Sequence, residues 1–256
     1  MTGRATIAFI AAAAVVAAPA KASPWNREDG DVFLASRFDY FWSTTPISRY
    51  ERYGSDAYAE FGVTPQWMLS GKLAYGTSVS ESALGEAVRT GVGEAELSVQ
   101  RQIHRGAHSA TALSVVGAWT ERLSGGERAA FGQREADVEI RVLHGRDVIL
   151  QPIRIFAVGE AAYRRRFDSA ADQFRADTLV GIEPTGRLLL LLEARSQISL
   201  RNEAPLGDDY DLIKARSSLV WRATPRLAVV AGGEKEFAAR GIAPGVAIHV
   251  GLWSEF

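Results

Sequence analysis

The sequence contains no cysteine among its 256 residues, and it has only two methionines and four histidines. Without cysteine, disulfide bonds, thiol catalysis and cysteine-ligated metal sites are excluded. Basic and acidic residues are nearly balanced, 29 against 30, so the chain lacks the basic excess that nucleic-acid partners require. Beyond residue 22 there is no run of 18 or more apolar residues that would make a transmembrane helix.

The first 22 residues differ from the rest of the chain. Arg4 precedes an apolar stretch, AFIAAAAVVAA, and Ala20-Lys21-Ala22 gives an A-x-A cleavage pattern before Ser23. Because this stretch is too short to span a bilayer stably, it predicts a secretory signal peptide that is removed, with an uncleaved anchor as the alternative. We therefore predict a signal peptide over 1–22 and a single domain over 23–256.

The stretch READVEIRV at 134–142 decides between helix and strand. Its charged residues Glu135, Asp137, Glu139 and Arg141 alternate with apolar ones. A strand places such residues on opposite faces. A helix of the same sequence would scatter the charges around its axis and leave no apolar stripe. The period therefore predicts a strand.

The same alternation recurs along the chain, for example in VFLASRFDYFW at 32–42 and RLLLLLEARSQISLR at 187–201. It predicts an all-β protein of twelve strands. The predicted strands lie near 31–42, 56–63, 66–77, 89–103, 109–122, 133–143, 147–164, 173–183, 187–201, 210–222, 226–237 and 244–256.

Short and long connections alternate between these strands. Short turns rich in proline and glycine are predicted at 63–67, 104–109, 143–147, 183–187 and 223–227. Longer loops are predicted at 43–55, 78–88, 124–131, 166–172 and 202–209, with a shorter one at 238–243. This rhythm is typical of an up-and-down antiparallel β-barrel.

Alternation alone does not say which face of the barrel meets water. A soluble barrel buries its apolar face, whereas a membrane barrel turns that face to lipid and keeps charges in its lumen. The even strand number, the strand lengths and the loop rhythm favour the membrane barrel. So do two groups of aromatic residues. Trp67, Trp221 and Phe256 fall at the short turns, and Tyr40, Trp42, Tyr75, Trp119, Tyr163 and Tyr210 fall towards the longer loops.

The chain ends in HVGLWSEF, with Val246, Ile248, Val250, Leu252 and Phe256 on one face of a strand. This ending resembles the C-terminal signature of bacterial outer-membrane β-barrel proteins, although Ser254 departs from the usual apolar choice. The resemblance implies export to the outer membrane of a Gram-negative cell and contact with its lipid and lipopolysaccharide. It also implies that the barrel-assembly machinery recognises the last strand, with Leu252 and Phe256 as the signal.

In such a barrel the charged strand faces line the lumen. The resulting selectivity candidates are Arg37, Asp39, Lys72, Glu94, Glu96, Glu139, Arg141, Arg154, Glu193, Arg195, Arg216, Arg222 and His249. Acidic residues concentrate on 89–103 and 133–143, and basic residues on 187–201 and 210–222. Walls of unlike sign would set up a transverse field across a wet pore. Alternatively, the charges pair into salt bridges that fill the barrel.

These features predict a narrow passive channel for small polar or charged solutes. A closed structural barrel that supports envelope assembly or export is the alternative, and a surface hydrolase is a distant third. We expect no catalytic residue, metal or cofactor, and no nucleic-acid partner. His104, His108 and His144 fall in predicted short turns, which leaves His249 as the histidine expected deep in the lumen.

Overall fold

The computed structural model describes residues 23–83, 85–121, 134–150, 153–167, 171–200 and 209–256. These residues form twelve β-strands and contain no helix long and apolar enough to cross a membrane. The strands are β1 (Val32–Thr44), β2 (Ser48–Thr64), β3 (Trp67–Ser82), β4 (Gly85–Arg105), β5 (Ser109–Glu121), β6 (Arg134–Leu150), β7 (Ile153–Arg166), β8 (Gln173–Thr185), β9 (Leu188–Ser199), β10 (Asp211–Thr224), β11 (Leu227–Arg240) and β12 (Val246–Glu255).

Each strand pairs antiparallel with the next, and β1 pairs with β12 to close the barrel. At the seam, the backbone N–H groups of Val32 and Phe256 donate to each other's carbonyl oxygens at 3.0 and 2.9 Å. Closure leaves no unpaired strand edge, which a sheet in lipid cannot tolerate. The predicted up-and-down barrel is therefore confirmed.

The barrel is apolar outside and mostly polar inside. Phe38 and Leu97 on the outer face are both 64% exposed, whereas the carboxylate-bearing Glu60 and Glu139 on the inner face are at most 1% exposed. A soluble barrel would show the opposite arrangement. Outward apolar residues and inward polar residues are typical of a transmembrane barrel.

Most of the predicted aromatic residues also lie on the outer face. We call the end at which β2 connects to β3, β4 to β5, β6 to β7, β8 to β9 and β10 to β11 the turn end, and the opposite end the loop end. Trp67, Trp221 and Phe256 are exposed at the turn end, as predicted. Tyr40 and Trp42 stack on each other towards the loop end, with ring centroids 5.2 Å apart. Tyr210 differs from the prediction, because it lines the lumen.

Three predicted connections are wrong. The long loops at 43–55 and 78–88 are mostly strand, because β1 and β2 are joined by residues 45–47 alone, and β3 extends to Ser82. The turn predicted at 143–147 is also strand, since β6 continues to Leu150. His144 consequently lies on the outer face of β6, where its Nδ1 is 2.9 Å from Thr111 Oγ1.

The physical reason for these errors is that turn-forming residues can also lie within long strands. The serines, glycines and arginines of 43–55 suggested a loop, but Arg52 and Gly54 face the lumen from β2. Gly145, which suggested a turn, lies in β6, where the absence of a side chain lets Pro24 and Trp25 pack closely against it. The remaining short turns agree with the prediction to within a few residues, and the predicted loop at 124–131 lies outside the described residues.

Because apolar residues face outwards, a charge introduced on the outer face should destabilise the barrel more in the middle of a strand than near the end of one. Val250 is half exposed in the middle of β12, where an arginine side chain would face hydrocarbon. We expect Val250→Arg to lower the free energy of unfolding by about 2–4 kcal/mol in lipid vesicles. Val88→Arg, at an exposed site near the loop end of β4, is the control and should cost no more than about 1 kcal/mol. Equal costs in urea unfolding would contradict the orientation.

Candidate functional site

The inner face of β5 carries only small or medium side chains. These are Ala110, Ala112, Ser114, Val116 and Ala118, and all are buried. Long side chains from the neighbouring strands extend over this face. Arg164 of β7 thereby reaches Glu96 of β4, two strands beyond its own neighbour, with Nη2 and Oε1 3.0 Å apart. Because β5 carries only small or medium residues inside, side chains of β4, β6, β7 and β8 can form one charge network across it.

Glu139 of β6 is the centre of this network. Its carboxylate accepts hydrogen bonds from Arg164 Nε at 2.6 Å and Arg175 Nη1 at 3.1 Å, and it also binds Arg141. Arg141 in turn lies 3.4 Å from Glu96 and 3.5 Å from Glu160. Because Glu139 is fully buried, it needs these cations to remain charged.

Further ion pairs follow the rest of the wall. On β9–β11, Arg195 binds Glu193 at 2.6 Å, and Arg216 and Lys214 bind Glu234 at 2.6 and 3.0 Å. On β1–β4 the pairs are Arg37 with Asp56, Arg52 with Asp39, and Lys72 with Glu94. In this part of the wall the charges are therefore neutralised locally, within one strand or between adjacent strands.

A cavity of about 310 Å³ occupies the loop-end half of the lumen. Nine arginine or lysine side chains line it, against six carboxylates. The basic residues are Arg37, Arg52, Lys72, Arg164, Arg166, Arg175, Arg195, Lys214 and Arg216, and the acidic ones are Asp39, Asp56, Glu94, Asp177, Glu234 and Glu236. Carboxylates such as Glu96 and Glu139, which bind these arginines, do not line the cavity. The surface that a solute would meet is consequently richer in cations than the wall as a whole.

The turn-end half of the lumen is largely apolar. Phe33, Phe156, Leu189, Leu191 and Trp253 project inwards and belong to one buried cluster. Phe33 and Trp253 pack edge to face with centroids 5.9 Å apart. A second cavity of only about 60 Å³ lies between this cluster and the charged half.

Residues 23–31, which we call the N-terminal segment, lie at the turn end. Residues 23–27 are buried or half-buried inside the barrel against β4 and β6, and residues 28–31 are exposed at its rim. Gln102 accepts from Asn26 N at 2.9 Å and donates to Pro24 O at 2.7 Å, while Gln100 donates to Ser23 O at 2.6 Å. On its other side, Trp25 packs against the apolar cluster. The segment and the cluster together close the turn end of the lumen.

Arg27 fixes this segment to two strands on the other side of the lumen. Its guanidinium donates to Glu60 of β2 at 2.7 Å and to Glu255 of β12 at 3.1 Å. Burial alone would lower the pKa of Arg27, but the attraction of the two carboxylates outweighs this effect, so the pKa lies above its ordinary value. Arg27 therefore remains charged and holds both carboxylates.

His249 lies in the lumen, as predicted, and is 8% exposed. Its Nε2 is 3.0 Å from Ser218 Oγ, a distance suitable for a hydrogen bond. A serine and histidine at this distance resemble a nucleophile and its base. Within the part of the chain that the structure describes, however, no carboxylate forms a hydrogen bond with the ring, and no metal-binding cluster of histidine and acidic residues occurs.

The structure places all of the lumen candidates on the inner face, but in different environments. Arg37, Asp39, Lys72, Glu94, Arg195, Arg216 and His249 line the larger cavity, and Glu193 lines the smaller one. Glu96, Glu139 and Arg141 lie in the network behind the larger cavity. Arg154 and Arg222 lie at the turn end, where both bind Glu183.

Sequence reasoning missed two features of the lumen. Arg164 and Arg166 are not among the predicted lumen residues, but they point inwards and are at most 5% exposed. Their even spacing from Arg154 and Glu160 on the same strand is the signal that could have placed them. The position of the N-terminal segment has no comparable signal, because residues 23–31 show no periodicity.

No protein family and no curated protein matches this sequence. The fold is nevertheless similar to solved outer-membrane barrels. An outer membrane channel from Pseudomonas putida F1 has a TM-score of 0.69 at 12% identity, over 91% of this chain and 97% of that one. The NanC porin has a TM-score of 0.56 at 9% identity, over 86% and 98%. The translocator domain of the autotransporter NalP from Neisseria meningitidis has a TM-score of 0.51 at 9% identity, over 90% of each chain. These similarities confirm the outer-membrane barrel fold and do not identify a subfamily.

The central position of Glu139 predicts a large effect of its removal on stability. Glu139→Gln leaves Arg141, Arg164 and Arg175 in the lumen without their shared carboxylate, so we expect a loss of about 3–5 kcal/mol in unfolding free energy. Glu86→Gln makes the same chemical change at an exposed site and should have almost no effect. Urea unfolding of the two variants in lipid vesicles measures the difference. Equal stabilities would show that the network contributes little.

Proposed function

We propose that the protein is an outer-membrane channel for small anionic solutes. The observation that carries the proposal is the cation-rich cavity in the loop-end half of the lumen. Inside a barrel, charges on a low-dielectric wall attract solutes of the opposite sign more strongly than they would in bulk water. Three more cations than carboxylates line this cavity, which favours anions.

The placement in the outer membrane rests on the exterior of the barrel. Leu252 and Phe256 are half or more exposed on the outer face of β12, together with Val250. This arrangement supports contact with lipid and recognition of the last strand by the barrel-assembly machinery. By the rule that periplasmic connections are short, the turn end faces the periplasm and the loop end faces lipopolysaccharide and the outside.

Three of the basic side chains that favour anions lie on adjacent strands. They are Arg175, Arg195 and Lys214, and Arg195 is directly opposite Lys214 in the register. Each binds a carboxylate, Glu139, Glu193 or Glu234 respectively, and each also lines the cavity. A carboxylate or phosphate group on a solute would bind these side chains in the manner typical of arginine and lysine.

A closed accessory barrel is the second candidate, and the filled turn end supports it. The N-terminal segment and the apolar cluster occupy this end, and the cavity beside the cluster measures only about 60 Å³. This candidate predicts that no solute enters liposomes containing the protein, and that a partner is captured by crosslinking. The channel predicts liposome swelling in small organic acids.

Selectivity tests the proposal directly. In a planar bilayer with a KCl gradient, we expect the reversal potential to indicate a preference for chloride over potassium. Replacing Arg175, Arg195 and Lys214 together by glutamine removes three of the nine cations that line the cavity, so the preference should shift towards potassium.

The matched control for this experiment is Lys235→Gln. Lys235 lies on the outer side of β11, close to the Phe237 ring and away from the lumen. The same loss of charge at this position should leave the reversal potential unchanged. A potassium preference in the unsubstituted protein would disprove the anion channel.

A further inference from the structure

The N-terminal segment is separate from the sheet that forms the barrel. The twelve strands close on themselves through the pairing of β1 with β12, which begins at Phe33. The segment joins the rim at Gly62 of β2, where Gly30 N donates to Gly62 O and Asp31 O accepts from Gly62 N. The main chain of Arg27 and Glu28 packs against the same glycine, but forms no strand ladder with it. Removing residues 23–29 from the lumen would thus break no strand pairing.

Polar contacts and one aromatic ring hold residues 23–29 in place: Trp25 packs against the apolar cluster, whereas the polar groups could exchange their partners for water. The segment is held by hydrogen bonds to Gln100 and Gln102 and by the charge pairs of Arg27. Some buried polar atoms around it have no hydrogen-bond partner in the described structure, namely Asn26 Nδ2, Arg27 Nη2 and Gln100 Oε1. Release of the segment would expose these atoms to water.

Gly30 provides a hinge between the segment and β1. Its φ is 84°, a conformation that glycine adopts without strain, and a Cβ at this position would meet nothing within 4 Å. Gly30 can therefore change its backbone dihedral angles without the steric limits that a side chain would impose. The motion would leave Gly30 and Asp31 bonded to the rim and carry residues 23–29 away from the lumen.

The space that the segment occupies would form a path lined by the polar side chains of Gln100 and Gln102 on β4 and by Gly145 on β6. Gly145 shows how close the segment lies, because a Cβ there would be 2.4 Å from the Trp25 ring. Above this space lie Glu96 and Arg141, behind the cation-rich cavity. The bulky apolar cluster projects from the opposite wall.

We propose that residues 23–29 are a releasable plug, latched by Arg27 to Glu60 and Glu255, whose departure opens the turn end of the lumen along β4–β6. The inference rests on the proposed channel function and adds the element that controls it. Arg27 is the latch because it is the charged contact that joins the plug to strands on both sides of the barrel seam, β2 and β12.

The plug can be locked by an engineered disulfide, since the chain has no cysteine of its own. A Cβ on Gly145 would lie 2.6 Å from Pro24 Cγ, close to where a sulfur at residue 24 would be placed. The double-cysteine variant Pro24→Cys/Gly145→Cys also carries Trp25→Ala, because a Cβ at residue 145 would otherwise be 2.4 Å from the Trp25 ring. It is expressed with its own residues 1–22 and measured in a planar bilayer under oxidising and reducing conditions, with Trp25→Ala alone as the control. We expect no conductance when it is oxidised and a return of conductance on reduction.

The latch is tested separately with Arg27→Gln. Loss of the two charge-assisted hydrogen bonds should raise the open fraction about tenfold. Arg187→Gln, in the exposed turn between β8 and β9, is the matched control and should conduct like the unsubstituted protein. Release is also followed without conductance, by the rate at which a membrane-impermeant maleimide labels Ser23→Cys, which is buried in the closed state. Adding Arg27→Gln should increase this rate by a similar factor.

The outcomes separate the plug from the channel. Equal conductance in the oxidised and reduced double variant would overturn the plug and leave the channel intact. If no variant conducts but Arg27→Gln accelerates labelling, the plug is supported and the channel function fails. A labelling rate that Arg27→Gln does not change would overturn the role of Arg27 as the latch.

Discussion

The structure depends on one constraint: a backbone N–H or C=O group in lipid has no water to bind, so each must be paired within the protein. A closed sheet meets this requirement, and here the pairing of β1 with β12 completes it. Closure then fixes what each face of the strands encounters. The apolar residues of the alternating pattern face lipid, and the charged residues face a confined lumen, where they need partners of opposite sign.

The interior follows from the sizes of side chains as much as from their charges. Because β5 carries only small or medium residues inside, Arg164 can reach Glu96, and the N-terminal segment can lie near Ala110 and Ala112. The opposite wall carries Phe33, Leu189 and Trp253 at the turn end. The lumen consequently contains a cation-rich cavity in its loop-end half, a charge network beside this cavity, and a filled turn end. This arrangement connects solute attraction at one end with control of passage at the other.

Much of the fold could be predicted from the sequence, because a period of two residues reports directly on the two faces of a strand. The lumen positions of Glu139, Arg141 and His249 follow from that period alone. The turns were harder to locate, since Gly145 permits a turn and also permits close packing within β6. The pairing of Glu139 with three arginines and the insertion of residues 23–31 depend on contacts between distant parts of the chain, which no local pattern encodes.

The central claim is that the apolar face of each strand meets lipid, while the residues that alternate with the apolar ones face the lumen. The run of five leucines at 188–192 tests it most directly, because its hydrophobicity is the same on both faces. Single cysteines placed in turn at 189, 190, 191 and 192 would carry a fluorophore in vesicles of brominated lipid. The account predicts strong quenching at 190 and 192 and weak quenching at 189 and 191. Equal quenching at all four positions, or the reverse pattern, would contradict it.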